Sequence, residues 1–503
     1  MLSFTFRADG STKFAPGHQW GYFPSISGAW VVSEEPWWNK NIASQFKIRA
    51  AFGLAGNNDI GDDLWRYTYS INSNGGPSWD EQTENGEKYY STGDTFPNEE
   101  IKWETTVTRN LALDLGFFKN RLTITPEFYW NTTRDLLHTS LIPTTSGYSQ
   151  QTRNVGEVSN KGIELTVNYQ IFQKKDFDLS ANLTMGYNKT KVEKLNGEDP
   201  YIEACKWDSQ NNFRMVVGDE VGLIYGYVYD GIYKFDEFNR TAGDNYEPIA
   251  QEFDANGKLI SGTVTGLYGT APGLPKFKDL NGDGKIDIND RTVIGNTNPR
   301  LQGGFGFSGN WKNFDFNANF VYFLNFDVLN ATAYTLSSRV GASESNPKNV
   351  LADFDYAHRW TFYGDTYQLD ADGNQVLYYK NEGLLGDTQH NNYIDLYEEM
   401  NKDKTLWNPQ SIGSKYTHSY FVEDASFLRL QNLTVGYTIP NSITKKWGVE
   451  RLRIYFTGSN LFTITNYSGY DPEVDIQNGM TPSVDYNRYP RSRSYLFGIN
   501  LSL

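Results

Sequence analysis

A single cysteine in 503 residues rules out an internal disulfide, and with it the small secreted domains that depend on such bridges. Long apolar runs are missing too. Nowhere do about 18 apolar residues follow one another, so no candidate transmembrane helix exists. Transmembrane barrels survive that exclusion, because their strands alternate and keep average hydropathy low. Basic residues are outnumbered 45 to 60, and a formal net charge of −15 argues against a nucleic-acid partner, which needs basic patches. The five histidines include none in a metal-ligand spacing such as HExxH. No phosphate-cradling glycine loop leads into a helix, and carboxylate pairs among 60 acidic residues arise too easily by chance to mark a site. No enzyme is expected. The start also lacks a charged n-region, an apolar core and a small-residue cleavage site, so no signal peptide is visible. Leu2, Phe4 and Phe6 alternate from the outset, as if the chain opened in mid-strand and belonged to something longer.

What the chain has in quantity is alternation. Hydrophobic residues make up only 38% but aromatics reach 16%. At 18–32 one side carries Trp20, Tyr22, Ile26, Trp30 and Val32; at 44–54 it carries Phe46, Ile48, Ala50, Phe52 and Leu54. The same period of two recurs at 106–115, 121–130, 163–171, 177–187, 301–311, 314–328, 427–439 and 451–462. It ends with Tyr495, Phe497, Ile499, Leu501 and Leu503. About twelve strands are expected, with Lys312-Asn313 as a two-residue hairpin connection.

Several of these segments run 11 to 15 residues by their spacing in the sequence, beyond the five or six usual in soluble sheets and enough for a tilted membrane strand. Their connections alternate in length. Those at 33–44, 116–121, 172–176, 312–313 and 440–450 are short; those at 55–105, 188–300, 329–424 and 464–490 are long. Short periplasmic turns and long extracellular loops predict an all-β fold, a transmembrane antiparallel β-barrel. Asn, Thr, Ser and Gly on the polar faces would line a wet lumen, and Tyr129-Trp130, Trp311 and Tyr437 would stand in aromatic girdles. Loop aromatics, among them Trp65, Tyr67, Trp79, Tyr356, Trp360, Tyr363, Tyr378 and Trp407, either stack on sugar rings or pack the loops against each other. Two other architectures compete: a self-contained passive porin, and a soluble extracellular glycan-binding protein.

One motif carries chemistry. Residues 279–290 fit the twelve-residue calcium loop, with Asp279, Asn281, Asp283, the Lys285 carbonyl, Asp287 and Asp290 at the ligand positions and Gly284 at the sharp turn. Calcium prefers such hard oxygen donors, so a structural calcium is expected there. Asp at the twelfth position, where Glu is usual, shortens the reach and weakens bidentate binding. The alternative is an Asp/Gly-rich turn that binds nothing.

Several blocks then bear on family. They include Phe6-Arg-Ala-Asp-Gly-Ser-Thr-Lys-Phe14, Trp20-Gly-Tyr-Phe-Pro-Ser25, Lys47-Ile-Arg-Ala-Ala-Phe-Gly53 and Lys102-Trp-Glu-Thr105. Further on come Ser426-Phe-Leu-Arg-Leu-Gln-Asn-Leu-Thr-Val-Gly-Tyr437, Gly458-Ser-Asn-Leu-Phe462, Gly469-Tyr-Asp-Pro-Glu473 and Tyr489-Pro-Arg-Ser-Arg-Ser-Tyr495. In this order they resemble the C-terminal half of SusC/RagA-type TonB-linked outer-membrane transporters. The resemblance implies a 22-strand barrel with an N-terminal plug, in the cell outer membrane of a Gram-negative, Bacteroidetes-like bacterium. It implies a SusD-like surface lipoprotein as lid, TonB as energy source through the plug, outer-membrane lipid around the wall, and glycan or peptide cargo. On this basis residues 1–503 are one domain, the C-terminal portion of the barrel, from a fragment or a split gene.

Overall fold

The computed structural model describes the chain apart from residues 73–88, 196–200, 205–206, 208–210, 242–245, 339–348, 362–366, 370–374, 378–396, 413–415, 475–478 and 480. Cys205, Trp79, Tyr363 and Tyr378 lie outside the described residues.

Twelve strands form one sheet. They are β1 (Leu2–Gly10), β2 (Trp20–Val31), β3 (Gln45–Asn57), β4 (Glu104–Phe117), β5 (Leu122–Arg134), β6 (Gly156–Lys174), β7 (Phe177–Leu195), β8 (Leu301–Trp311), β9 (Phe314–Leu324), β10 (Phe427–Thr438), β11 (Arg451–Thr465) and β12 (Ser494–Ser502). Each pairs antiparallel with the next in the chain, so every alternating segment of the sequence takes its place in one meander. Lys312-Asn313 does form a two-residue turn, with Lys312 at φ 53°. Opposite Pro126, which has no N–H to donate, pairing of β5 with β4 lapses between Ala112–Glu127 and Leu115–Ile124.

Register converts the alternation into two faces. Leu2, Gly28, Ala50, Leu111, Phe128, Ile163, Tyr187 and Leu301 stand opposite one another in turn from β1 to β8. Trp311, Phe314, Tyr437, Ile454 and Ile499 do the same from β8 to β12. Nothing among the described residues covers this face: Phe4 is 69% exposed, Ile26 46% and Phe497 79%. A soluble sandwich would lay a second sheet on such a row. An uncovered apolar band this wide calls for lipid. The sheet order starts at β1 and stops at β12, and both edge strands are apolar and bare.

Three strands differ from the alternation. The pair β6 and β7 are 19 residues each, where the pattern suggested 163–171 and 177–187. The extra length, with Asn160, Lys161, Lys189 and Lys191, is polar on both faces, so the ladder continues after the apolar signal has stopped. At about 3.3 Å per residue such a strand reaches roughly 60 Å, and even tilted by about 45° it outreaches a hydrocarbon layer of about 30 Å. Strand β9 stops at Leu324 rather than 328. Asn325 turns to φ 58°, its N–H is taken by Ser426 Oγ at 2.8 Å, and Asp327–Leu329 forms a separate ladder with Val422–Asp424.

The tightest packing lies outside the sheet, in the long connections. Trp207, Phe213, Ile224, Tyr334, Phe354, Trp360, Trp407, Phe421 and Val484, drawn from three connections, make one buried cluster. The short helix α1 (Ala331–Leu336) sits in it, its first turn capped by Asn330 Oδ1 on the Ala333 N–H at 2.8 Å. Burial of Trp360 and Trp407 decides the role of those two loop aromatics: they hold loop to loop. Trp360 Nε1 donates to the Tyr397 hydroxyl at 2.8 Å and Trp407 Nε1 to the Ser337 carbonyl at 3.0 Å, so each indole meets its polar need inside the cluster. Tyr67, by contrast, is 62% exposed.

Candidate functional site

The face opposite the apolar rows is built from paired polar groups. Arg49 of β3 makes a two-point contact with Asp114 of β4, Nε to Oδ2 at 3.0 Å and Nη2 to Oδ1 at 3.1 Å, and lies 3.6 Å from Glu127 of β5. Lys47 adds a second cation 3.6 Å from Asp114. Further round, Asp315 of β9 accepts from Arg453 Nε at 2.8 Å, and Ser180 and Asp178 of β7 bracket the Gln170 amide. Charged groups on one face and uncovered aromatics on the other fit a wet interior and a lipid exterior. Tyr129 belongs inside: its hydroxyl donates to Asn188 Oδ1 at 3.1 Å, whereas Trp130 is on the outer face. The girdle position expected for the pair therefore holds for Trp130 alone, because neighbouring residues of a strand point to opposite faces.

Where the interior meets the loops, β10 carries Arg429, only 3% exposed at its side chain. Its guanidinium meets Asp471 at 2.5 Å and Glu473 at 2.8 Å, and its Nε donates to Thr463 Oγ1 at 2.9 Å. Asp471 also accepts the Arg491 backbone N–H at 3.0 Å, and Arg491 closes the ring on Glu473. Three of the sequence blocks, 426–437, 469–473 and 489–495, thus converge on one charge cluster that ties down both ends of the segment entering β12. Burial pushes the Glu473 carboxyl up, against the pull of Arg491 and Arg429. Sequence reading missed this latch. The signal was there: an arginine between Leu428 and Leu430 on a strand otherwise apolar at that point needs a buried acid.

At the long-loop end of β1 to β6 a cleft of about 450 Å³ opens, lined by His18, Glu100, Lys102, Asp135, Gln151 and Arg153 together with Asn98 and Asn154. Asn154 braces it, its amide donating to the carbonyls of Lys102 at 2.9 Å and Asp135 at 2.7 Å, while Lys102 Nζ lies 3.1 Å from Asp135. Such a lining offers donors and acceptors of both signs to a polar ligand. No substrate contact had been assigned from the sequence, and these loop residues carry no pattern that would have shown them.

The calcium-like loop is folded as a string of tight turns. Gly282 and Gly284 take φ of 79° and 83°, which only glycine adopts freely. Asp279 accepts the Gly284 N–H at 2.8 Å, Asn281 the Asp283 N–H at 2.9 Å, Asp283 the Lys285 N–H at 3.1 Å, and Asp287 the Asn289 N–H at 2.8 Å. Asp290 is fully buried and takes the N–H groups of Leu280 and Asp287 at 2.9 and 2.8 Å. The Asn289 N–H and the Lys285 ammonium hold the Asp287 carboxyl below its ordinary range. Ile286 anchors the loop against Tyr227 and Phe277. Among the described residues no three acidic, histidine or cysteine side chains are gathered around a point that would hold a metal. The structure brings the six positions into one loop, in which oxygens of Asp279, Asn281, Asp283, Asp287 and Asp290 accept backbone N–H groups and Asp283 and Asp287 also meet the Asn281 and Lys285 side chains.

Comparison with known proteins follows from this geometry. A family model described as TonB dependent receptor-like, beta-barrel, matches residues 1–246. The TonB-dependent receptor SusC of Bacteroides thetaiotaomicron is 30% identical over 510 residues, which are all of this chain and 42% of that protein. Over its whole length the chain resembles TonB-dependent receptors, and residues 1–246 match the family's β-barrel model. TonB-dependent receptor P3 of Formosa agariphila is 29% identical across the whole chain and 44% of its own length. In fold, a chain of the RagAB peptide importer in its closed-closed state superposes with TM-score 0.71 at 24% identity, over 99% of this chain and 45% of that one. The RagAB peptide transporter gives 0.70 at 23%, with 99% and 45% covered. The chain therefore spans less than half the length of these relatives. The two faces of the sheet, one charge-paired and one apolar and uncovered, are those of a barrel wall.

Proposed function

We propose that the chain forms the C-terminal part of the wall of an outer-membrane importer of polar nutrients, oligosaccharides or peptides. A SusD-like lipoprotein would close it from outside, and TonB would drive it through a plug. The observation that carries the proposal is the sheet's division into an uncovered apolar face and a charge-paired face whose open end is roofed by packed loops. A polar cleft at that end supplies the type of surface a hydrated cargo needs. The test is uptake in the organism that carries the gene. Deleting it should abolish import of one labelled oligosaccharide or peptide, and deleting the TonB gene should do the same. Import that continues without TonB, with ion conductance in planar bilayers, would show a passive porin instead. Recovery of the chain in a detergent-free soluble fraction would point to the soluble glycan-binding alternative.

We propose further that residues 279–290 take a structural calcium through oxygens of Asp279, Asn281, Asp283, Asp287 and Asp290 and the Lys285 carbonyl. Hard oxygen donors at the calcium-loop spacing support this. The ion would displace Lys285 Nζ from Asp287, now 3.1 Å away. Calorimetric titration with calcium should show one site that Asp283→Asn weakens; no heat with the unaltered protein sinks the proposal.

A further inference from the structure

The outer face carries a group of cations that importing a nutrient does not call for. One register row toward the loops from Leu111, Phe128, Ile163 and Tyr187, the same face reads Ile26, Phe52, Arg109, Trp130, Lys161 and Lys189 on consecutive strands. Lys191 follows opposite Ser159. Acids are fewer there: Glu193 pairs with Lys191 at 3.2 Å and accepts from Ser159 Oγ, Glu157 pairs with Arg134, and Glu220 lies 3.8 Å from Lys189 but is claimed by Arg300. Among the described residues neither Arg109 nor Lys161 forms an ion pair within 4 Å, and Lys161 acts on Glu193 only at longer range, behind Lys191. Arg109 Nη1 rests on the Trp130 carbonyl and Thr132 Oγ1, both at 3.3 Å, leaving the rest of its donor fork open. A local excess of positive charge in a chain of net charge −15 sits against the overall sign.

Directly beside these cations the apolar face is dented. Gly28 and Ala50 form the floor of a groove of about 410 Å³, walled by Ile26, Phe52 and Leu111, with Arg109 and Trp130 at its loop-side end. The small residues lie in the all-apolar row, the cations one step nearer the long loops, where a lipid headgroup would stand above its chains. Arg109 and Lys161 are two strands apart, roughly 10 Å at about 4.8 Å per strand, close enough for both side chains to reach one phosphate.

We propose that this groove and the Arg109–Lys161 pair bind a phosphorylated lipid of the outer leaflet, its acyl chain in the dent over Gly28 and Ala50 and its phosphate between the two cations. The proposal rests on the apolar face lying in the membrane, as above, and its test separates the two. The full protein, purified in a neutral detergent, is heated with lipid A, with phosphatidylcholine, or with inorganic phosphate. Lipid A should raise the unfolding temperature and the other two should not, and Arg109→Gln with Lys161→Gln should weaken the apparent lipid affinity on the order of tenfold or more. The charge-preserving pair Arg109→Lys with Lys161→Arg should keep the shift, and heat-modifiable migration should remain in all variants, which guards against misfolding. Equal shifts in wild type and the Gln variant, or a shift produced as well by inorganic phosphate or phosphatidylcholine, would overturn the lipid site. Loss of detergent dependence altogether would instead overturn the membrane placement.

Discussion

His418 offers a test in which the magnitude follows from its surroundings. The imidazole is fully enclosed by rings: Tyr229 and Phe421 at 5.8 and 4.9 Å between centroids, Phe277 and Tyr334 at 5.3 and 5.6 Å, Trp407 at 6.1 Å. Its Nδ1 has no hydrogen-bond partner among the described residues, and burial lowers its pKa from 6.5 to about 3. A histidine held neutral in the fold but free to protonate when the loops open favours the open state as acid is added. The sign is therefore a stability fully present above about pH 6.5 and lost as pH falls toward 3. Between pH 7 and 5 the difference is about 2 kcal/mol, which needs only that the folded pKa stay well below 5. Hydrogen exchange of the Tyr227 and Ser419 amides, which bond across to the Thr417 and Tyr227 carbonyls at 2.9 Å each, reads this directly. After correction for intrinsic rates, protection of these amides should drop roughly 20- to 30-fold from pH 7 to pH 5. His418→Phe, which keeps an aromatic ring and removes the proton site, should flatten the slope. Equal slopes in both proteins, or none in either, would refute the idea that this ring sets the acid sensitivity of the loop cluster.

Arg429→Met should destabilise the segment 466–493 by about 3–5 kcal/mol, since it leaves the buried Asp471 without its cation and Glu473 with Arg491 alone. Limited proteolysis of that segment would measure the loss. In this variant the Glu473 carboxyl, already pushed up by burial, loses the opposing pull of Arg429, so the defect should ease as pH is lowered, opposite in sign to the His418 effect. A built Cβ on Gly56 lies 2.0 Å from Cζ of the buried Phe23, whereas on Gly28 it meets nothing nearer than 4.0 Å. Gly56→Ala should therefore cost about 1–3 kcal/mol through overpacking, visible as a lower temperature of heat-modifiable migration, while Gly28→Ala leaves it unchanged.

How much was legible differs between wall and loops. The twelve strands and their hairpin turns could be read because the side-chain period of two and the sorting of connection lengths are local properties of the chain. Even there the reading failed where both faces are mostly polar: 159–161 and 189–194 continue β6 and β7 without an apolar stripe to mark them. The end of β9 was overrun for the opposite reason. Phe326 and Val328 keep the alternation going, but Asn325 breaks the ladder with a left-handed backbone that no periodicity records. In the loops, Trp360 and Trp407 left sugar stacking and loop packing both open, since an aromatic side chain serves either. Burial at 2% decided for packing. The calcium-like motif was readable as a spacing, yet the hydrogen bonds its oxygens accept were not, because they depend on backbone turns.

Alternation, composition and connection length by themselves determined that this chain is a meander of long amphipathic strands with one face for lipid and one for water. Those quantities depend on neighbours one or two residues apart, so one dimension suffices. Only the tertiary structure decided which strand rows align, and so placed Arg109 and Lys161 in one row at the end of a dent in the apolar face, and brought Arg429, Asp471, Glu473 and Arg491 into one latch. Those contacts join residues tens of positions apart. Their partners are chosen by register and by the cost of burying a charge alone, and neither is written in any short stretch of the chain.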